Sequence, residues 1–87
     1  VGSEMCIRDS VHVLVIPKEH ICCADAVNEE NVGNIAHIFT KIPEITKSLG
    51  LTNGYRIVNN CGEDGCQSVK HMHFHILGGK KLNGTMA

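Results

Sequence analysis

Apolar positions fall into two short runs, one periodic stretch and one alternating segment. Val11-His12-Val13-Leu14-Val15-Ile16 is rich in β-branched residues and stopped by Pro17, which predicts a strand with a breaker behind it. Its near-continuous hydrophobicity predicts burial on both faces. Lys18-Glu19-His20 follows as a polar turn and puts His20 just past a strand end. Val32, Ile35, Phe39, Ile42, Ile45 and Leu49 then recur at steps of three or four, the spacing of one helix face. Asn28 can cap that helix, Glu29 and Glu30 suit its positive end, and Gly50 can close it. Pro43 lies inside the pattern and should bend it, so one kinked helix is predicted over about residues 29–49.

Asn53-Gly54 is a turn signal, and residues 55–60, Tyr-Arg-Ile-Val-Asn-Asn, read as a second strand. A glycine-bearing loop covers 61–66, and residues 69–77 read as a third strand ended by Gly78-Gly79. Residues 1–10 have no period and read as an irregular leader, with the domain proper over 11–87. The order strand–helix–strand–loop–strand predicts an α+β fold, an antiparallel sheet with one long kinked helix packed on it.

Composition narrows the class. Eighty-seven residues allow one domain, and one this short buries only about 60% of its unfolded surface, so a partner subunit would help it. A net charge of −1 and 3% aromatic residues argue against a nucleic-acid partner, because neither a basic stripe nor a stacking platform is available. The five cysteines are odd in number and lack a CxxC pair, which favours free thiols in a reducing compartment. No apolar run can cross a bilayer, and the start lacks the basic and apolar regions of a secretory signal, so a cytoplasmic protein is expected.

The chemistry concentrates in His71-Met72-His73-Phe74-His75-Ile76-Leu77. Residues two apart on a strand share a face, so the histidines line one side while Met72, Phe74 and Ile76 face the core. Packing does not explain three imidazoles in register, whereas His12 and His37 read as ordinary structural or surface residues. Two functions fit the row, nucleophilic and acid–base catalysis or zinc ligation. Carboxylates to hold the outer ring nitrogens of zinc-bound histidines are wanting, since Glu63 and Asp64 sit in a loop that should fold away. Gly65-Cys66-Gln67-Ser68-Val69 instead places amides and a hydroxyl next to the histidines, a phosphate-binding arrangement.

The alternation at 71–77, with residues 54–60, Gly65, Gln67-Ser68-Val69, Leu77-Gly78-Gly79 and the upstream segment 12–21, resembles the histidine-triad (HIT) family, in particular its nucleotide-binding phosphoramidase branch. The likeness spans residues 11 to about 82. It implies a homodimeric hydrolase of purine nucleoside phosphoramidates or acyl-adenylates that requires no cofactor or metal. By the same resemblance His73 is the nucleophile that forms a nucleotidyl-histidine, and His71 orients it. His75 contacts phosphate oxygens, His20 stands near the leaving group, and Ser68 donates to the leaving atom. Asn60, Gln67 and the Val69 amide complete the phosphate cradle. Alternatives are a dinucleoside polyphosphate hydrolase or nucleotidyltransferase of another branch, or a nucleotide- or zinc-binding module without turnover. Cys66 falls where the family often has glycine.

The chain departs from the family at its start. Residues 1–10 stand where relatives carry a helix and a hairpin that supply the purine pocket and a ribose-binding acid. The expectation is a truncated or altered N-terminus, two sheet strands short, with weak nucleotide affinity and an exposed edge that promotes association.

Overall fold

The computed structural model describes residues 2–5, 11–80, 82 and 84. The elements are β1 (Gly2–Met5), β2 (Val11–Val15), a 3-10 turn (Ala24–Ala26), α1 (Val32–Ser48), β3 (Tyr55–Val58) and β4 (Phe74–Gly78). One antiparallel sheet has the order β1-β2-β4-β3. The α+β class and the antiparallel pairing of the last two strands are as the pattern predicts.

β1 is a correction. Gly2–Met5, read as part of an irregular leader, pairs with β2 from Gly2↔Leu14 to Met5↔Val11. The edge of β2 is therefore covered rather than bare. No period marks Gly2–Met5, because four residues are too few to show one. Val1 and residues 6–10 lie outside the described residues.

The helix also begins later than predicted. The Asn28 side-chain oxygen accepts from the amides of Glu30 and Asn31, at 2.8 and 3.0 Å, and the Asn28 carbonyl accepts from Val32 at 2.9 Å. Those bonds organise a separate turn, so Glu29 and Glu30 precede α1 instead of opening it. Asn31 becomes the N-cap, buried with its side-chain amide on the Ala26 carbonyl at 3.0 Å. The helix continues through Pro43, whose missing N–H leaves the Phe39 carbonyl without its usual partner. The buried line is Ile38, Ile42 and Thr46, while Val32 and Phe39 stay exposed. Ile42 is common to both sets and Ile35, Ile45 and Leu49 pack at the margin of the core, so the buried face is centred close to the predicted one, with Ile38 and Thr46 in place of Val32 and Phe39. Thr46, buried at 4% exposure with its hydroxyl donating to the Pro43 carbonyl, is the polar member that apolar spacing overlooks.

Burial alternates residue by residue from His71 to Gly78, with Met72, Phe74, Ile76 and Gly78 buried and His71, His73, His75 and Leu77 half-buried. The ladder covers only Phe74–Gly78, but the extended path begins before it. One sheet face, with Val13, Val15, Phe74 and Ile76, joins Ile38 and Ile42 of α1 in the core. Phe39 reaches that layer edge-on, 5.7 Å from Phe74 between ring centroids. The other face carries the histidines.

The loop from 59 to 73 turns back tightly on itself. A Cβ on Gly65 would sit 2.5 Å from the Cys61 carbonyl oxygen, so the backbones touch there. Cys66 holds a positive φ of 60°, a conformation that favours glycine. Gly65→Ala is expected to cost about 1–3 kcal/mol. Cys66→Gly is expected to be neutral or to stabilise by up to about 1 kcal/mol, the relief of the left-handed strain less the entropy that glycine adds to the unfolded chain. Urea midpoints of the two variants check both signs.

Candidate active site

Hydrogen bonds to carbonyls fix the tautomers of His71 and His73. His73 Nδ1 lies 2.8 Å from the His71 carbonyl oxygen. A carbonyl only accepts, so Nδ1 carries the hydrogen and Nε2 of neutral His73 presents a lone pair. His71 Nε2 lies 3.1 Å from the Pro17 carbonyl, and the same reasoning puts its hydrogen on Nε2. The His73 carbonyl accepts from Asn59 Nδ2 at 2.8 Å, which fastens the segment to the end of β3. His73 is therefore held through both ring and backbone, with its unprotonated nitrogen free to attack.

The neighbouring rings form a chain. His73 and His75 stand edge to face with centroids 5.0 Å apart, as do His20 and His71 at 5.0 Å. His75 Nδ1 meets Nε2 of His12 at 2.7 Å, so one of the two rings donates a hydrogen to the other. His12, which the sequence reading set aside as structural, belongs to the cluster. The signal for it was available, since it is the polar member of an otherwise apolar strand. What the sequence did not show was the register, which pairs His12 with Leu77 and Leu14 with His75 and so sets His12 diagonal to His75 on one face.

Leu14 and Val58 flank His75 from β2 and β3. Burial there, then the charges of His12 and His73, push the His75 imidazole below its ordinary range. His75 is expected to titrate below about 6.5 by proton-detected NMR, and His12→Gln is expected to move it upward. A wild-type midpoint at or above that value contradicts the account. The unfolded chain binds more protons than the folded one as pH falls below about 6.5. This contribution to stability is therefore present above that pH and is lost on acidification through the folded midpoint.

The remaining predicted residues surround the row at varying distance. His20 is exposed after β2 and reaches the cluster through His71. Ser68 and Val69 are exposed in the loop that leads into it. Asn60 is half-buried past the end of β3, beside the Asn59 that binds the His73 backbone. Gln67 is placed as a clasp. Its amide nitrogen donates to the carbonyls of Cys22 at 2.6 Å and Val69 at 3.0 Å, and its oxygen accepts from the Gly62 amide at 2.9 Å. With its side chain so engaged, Gln67 shapes the loop that leads into the histidine row. A cavity of about 560 Å³, lined by Leu51, Tyr55 and Gly79 among others and by no histidine, opens at the far end of β4 from His71.

An antiparallel sheet backed by α1, with a row of half-buried histidines on its other face, defines a small α+β domain with an imidazole-lined surface. The HIT domain model matches residues 8–82, and the chain belongs to the HIT domain family. It is 46% identical over 78 residues to an uncharacterised HIT-like protein of Rickettsia prowazekii, covering 87% of this chain and 65% of that protein. A HIT-like protein of Buchnera aphidicola is 42% identical over 76 residues, covering 84% and 66%. The chain thus spans a little under two thirds of the length of these curated relatives.

Among solved structures, a HIT family hydrolase from Clostridium thermocellum superposes with a TM-score of 0.84 at 38% identity, over 88% of this chain and 68% of that one. A histidine triad protein from Clostridium difficile gives 0.81 at 33% identity, over 97% and 84%. A HIT family hydrolase from Legionella pneumophila gives 0.83 at 28% identity, over 99% and 88%. The fold is that of these HIT family hydrolases.

Proposed function

We propose that this chain is the catalytic part of a hydrolase that cleaves purine nucleoside 5′-phosphoramidates or acyl-adenylates through a nucleotidyl-histidine on His73. The observation that carries the reading is the bond from His73 Nδ1 to the His71 carbonyl, which leaves Nε2 as the attacking atom. Nε2 forms a bond to the α-phosphorus as the bond to the amine or carboxylate leaving group breaks. Ser68 and His20 supply a hydrogen to an amine leaving group. Water then attacks the phosphorus, the P–Nε2 bond breaks and the monophosphate departs; the water's proton restores the donor that protonated an amine, or passes to solvent where a carboxylate left. His75, Asn60 and the Val69 amide stabilise the charge that builds on the phosphate oxygens. The machinery is metal-free in this reading, and the active form is a homodimer in the cytoplasm.

The geometry favours catalysis over a histidine-held zinc. Among the described residues, the group of potential ligand atoms that converges at metal spacing contains no histidine. The test is mass spectrometry of the full chain mixed with adenosine 5′-phosphoramidate and denatured in alkali, where a nucleotidyl-histidine survives. An adenylyl group is expected on the peptide carrying His73 and none in His73→Ala. A folded protein that binds substrate without forming the adduct would overturn the reading in favour of a binding module. Faster adduct formation from a diadenosine polyphosphate would reassign the branch.

A further inference from the structure

Away from the histidine row, the sulfurs of Cys23 and Cys61 and a carboxylate oxygen of Asp25 lie within 4.8 Å of one another. The residues come from separate segments. Asp25 lies in the 3-10 turn after β2, Cys23 immediately precedes that turn, and Cys61 is in the loop after β3. Both cysteines are free thiols and half-buried.

We propose that Cys23, Asp25 and Cys61 form a binding site for a thiophilic divalent cation, of which zinc is the one suited to two thiolates and a carboxylate. Zinc–sulfur bonds of about 2.3 Å at tetrahedral angles place two sulfurs about 3.8 Å apart. Ligand atoms already within 4.8 Å need to close by only about 1 Å to meet that spacing. The thiol protons leave on binding, and three protein ligands leave a fourth position for water.

The three groups are already in contact, since Cys61 shares a hydrogen bond with the Cys23 thiol and accepts one from the Asp25 backbone. A disulfide between Cys23 and Cys61 would leave the carboxylate's convergence unexplained.

The location assigns the site a role. The Ile21 carbonyl accepts from the Met72 amide at 2.6 Å, and the Cys22 carbonyl accepts from Gln67. The backbone of Gly65 rests against Cys61. A bridging ion would therefore staple the turn after β2 to the loop that leads into His71, fixing that loop beside the histidine row without touching the row.

The test uses the reduced full chain with cobalt(II) or zinc(II) alone. One equivalent of cobalt per chain is expected, with thiolate-to-cobalt charge-transfer absorption that is lost in Cys23→Ser and Cys61→Ser and weakened in Asp25→Asn. The band should persist in Cys66→Ser and in His73→Ala. Zinc should protect wild-type Cys23 and Cys61 from iodoacetamide while exposed Cys66 is still alkylated, a readout that needs no variant to fold. Failure of cobalt to bind stoichiometrically, a spectrum without thiolate character, or a band that survives both serine variants would each overturn the proposal. A Cys23–Cys61 disulfide that forms in air while zinc gives no protection would overturn it in favour of a redox pair.

Discussion

His73→Ala is expected to lower turnover of adenosine 5′-phosphoramidate by more than about 10⁴-fold, because losing a nucleophile removes the covalent path along with the residue. Stability should change little. The ring is half-buried on the open face of the sheet, and the bond it loses, to the His71 carbonyl, is worth about 1 kcal/mol net. His71 is itself only half-buried, so water can take the place of Nδ1 at its carbonyl. Steady-state rates measured beside thermal unfolding separate the two effects. Turnover within tenfold of wild type would mean that Nε2 of His73 is not the attacking atom. A parallel fall in Tm of many degrees would mean that the histidine row holds the fold instead of acting on substrate.

The contrast between His73 and its neighbours shows what the sequence can disclose. A two-residue period depends only on the strand's own pleat, so the separation of His71, His73 and His75 from Met72, Phe74 and Ile76 is written locally. It survives even though the ladder starts only at Phe74. Pairing is different, since it depends on where two distant strands meet. His12 and His75 are sixty-three residues apart, and only the β2–β4 register brings their rings to 2.7 Å. Cys23 and Cys61 likewise meet across a non-local junction, which spacing rules for cysteine cannot anticipate.

The helix boundary failed for the opposite reason, an excess of local signal. Asn28, Glu29, Glu30 and Asn31 all suit a helix start, and a competing side-chain turn at Asn28 took the first three. Gln67 shows how a residue type can suit two tasks, as an amide that binds phosphate also binds carbonyls, and here three backbone groups occupy it.

The other large effect concerns the core beneath the site. Ile76 is fully buried, paired with Val13 of β2 on one side and Ile57 of β3 on the other. Ile76→Ala is expected to cost about 2–5 kcal/mol, the lost transfer energy plus the cavity left between sheet and helix. A domain of this size has only about 4–13 kcal/mol in total, so Tm should fall by about 10 °C or more. Leu14, half-buried beside His75 on the opposite face, offers the control. Leu14→Ala removes as many carbons but leaves a surface that water can fill, so its loss should be less than half that of Ile76→Ala. Equal losses would mean that both sheet faces are covered in solution, with a second chain closing over the histidines. The ratio of the two costs therefore measures whether the imidazole face stands open to a substrate.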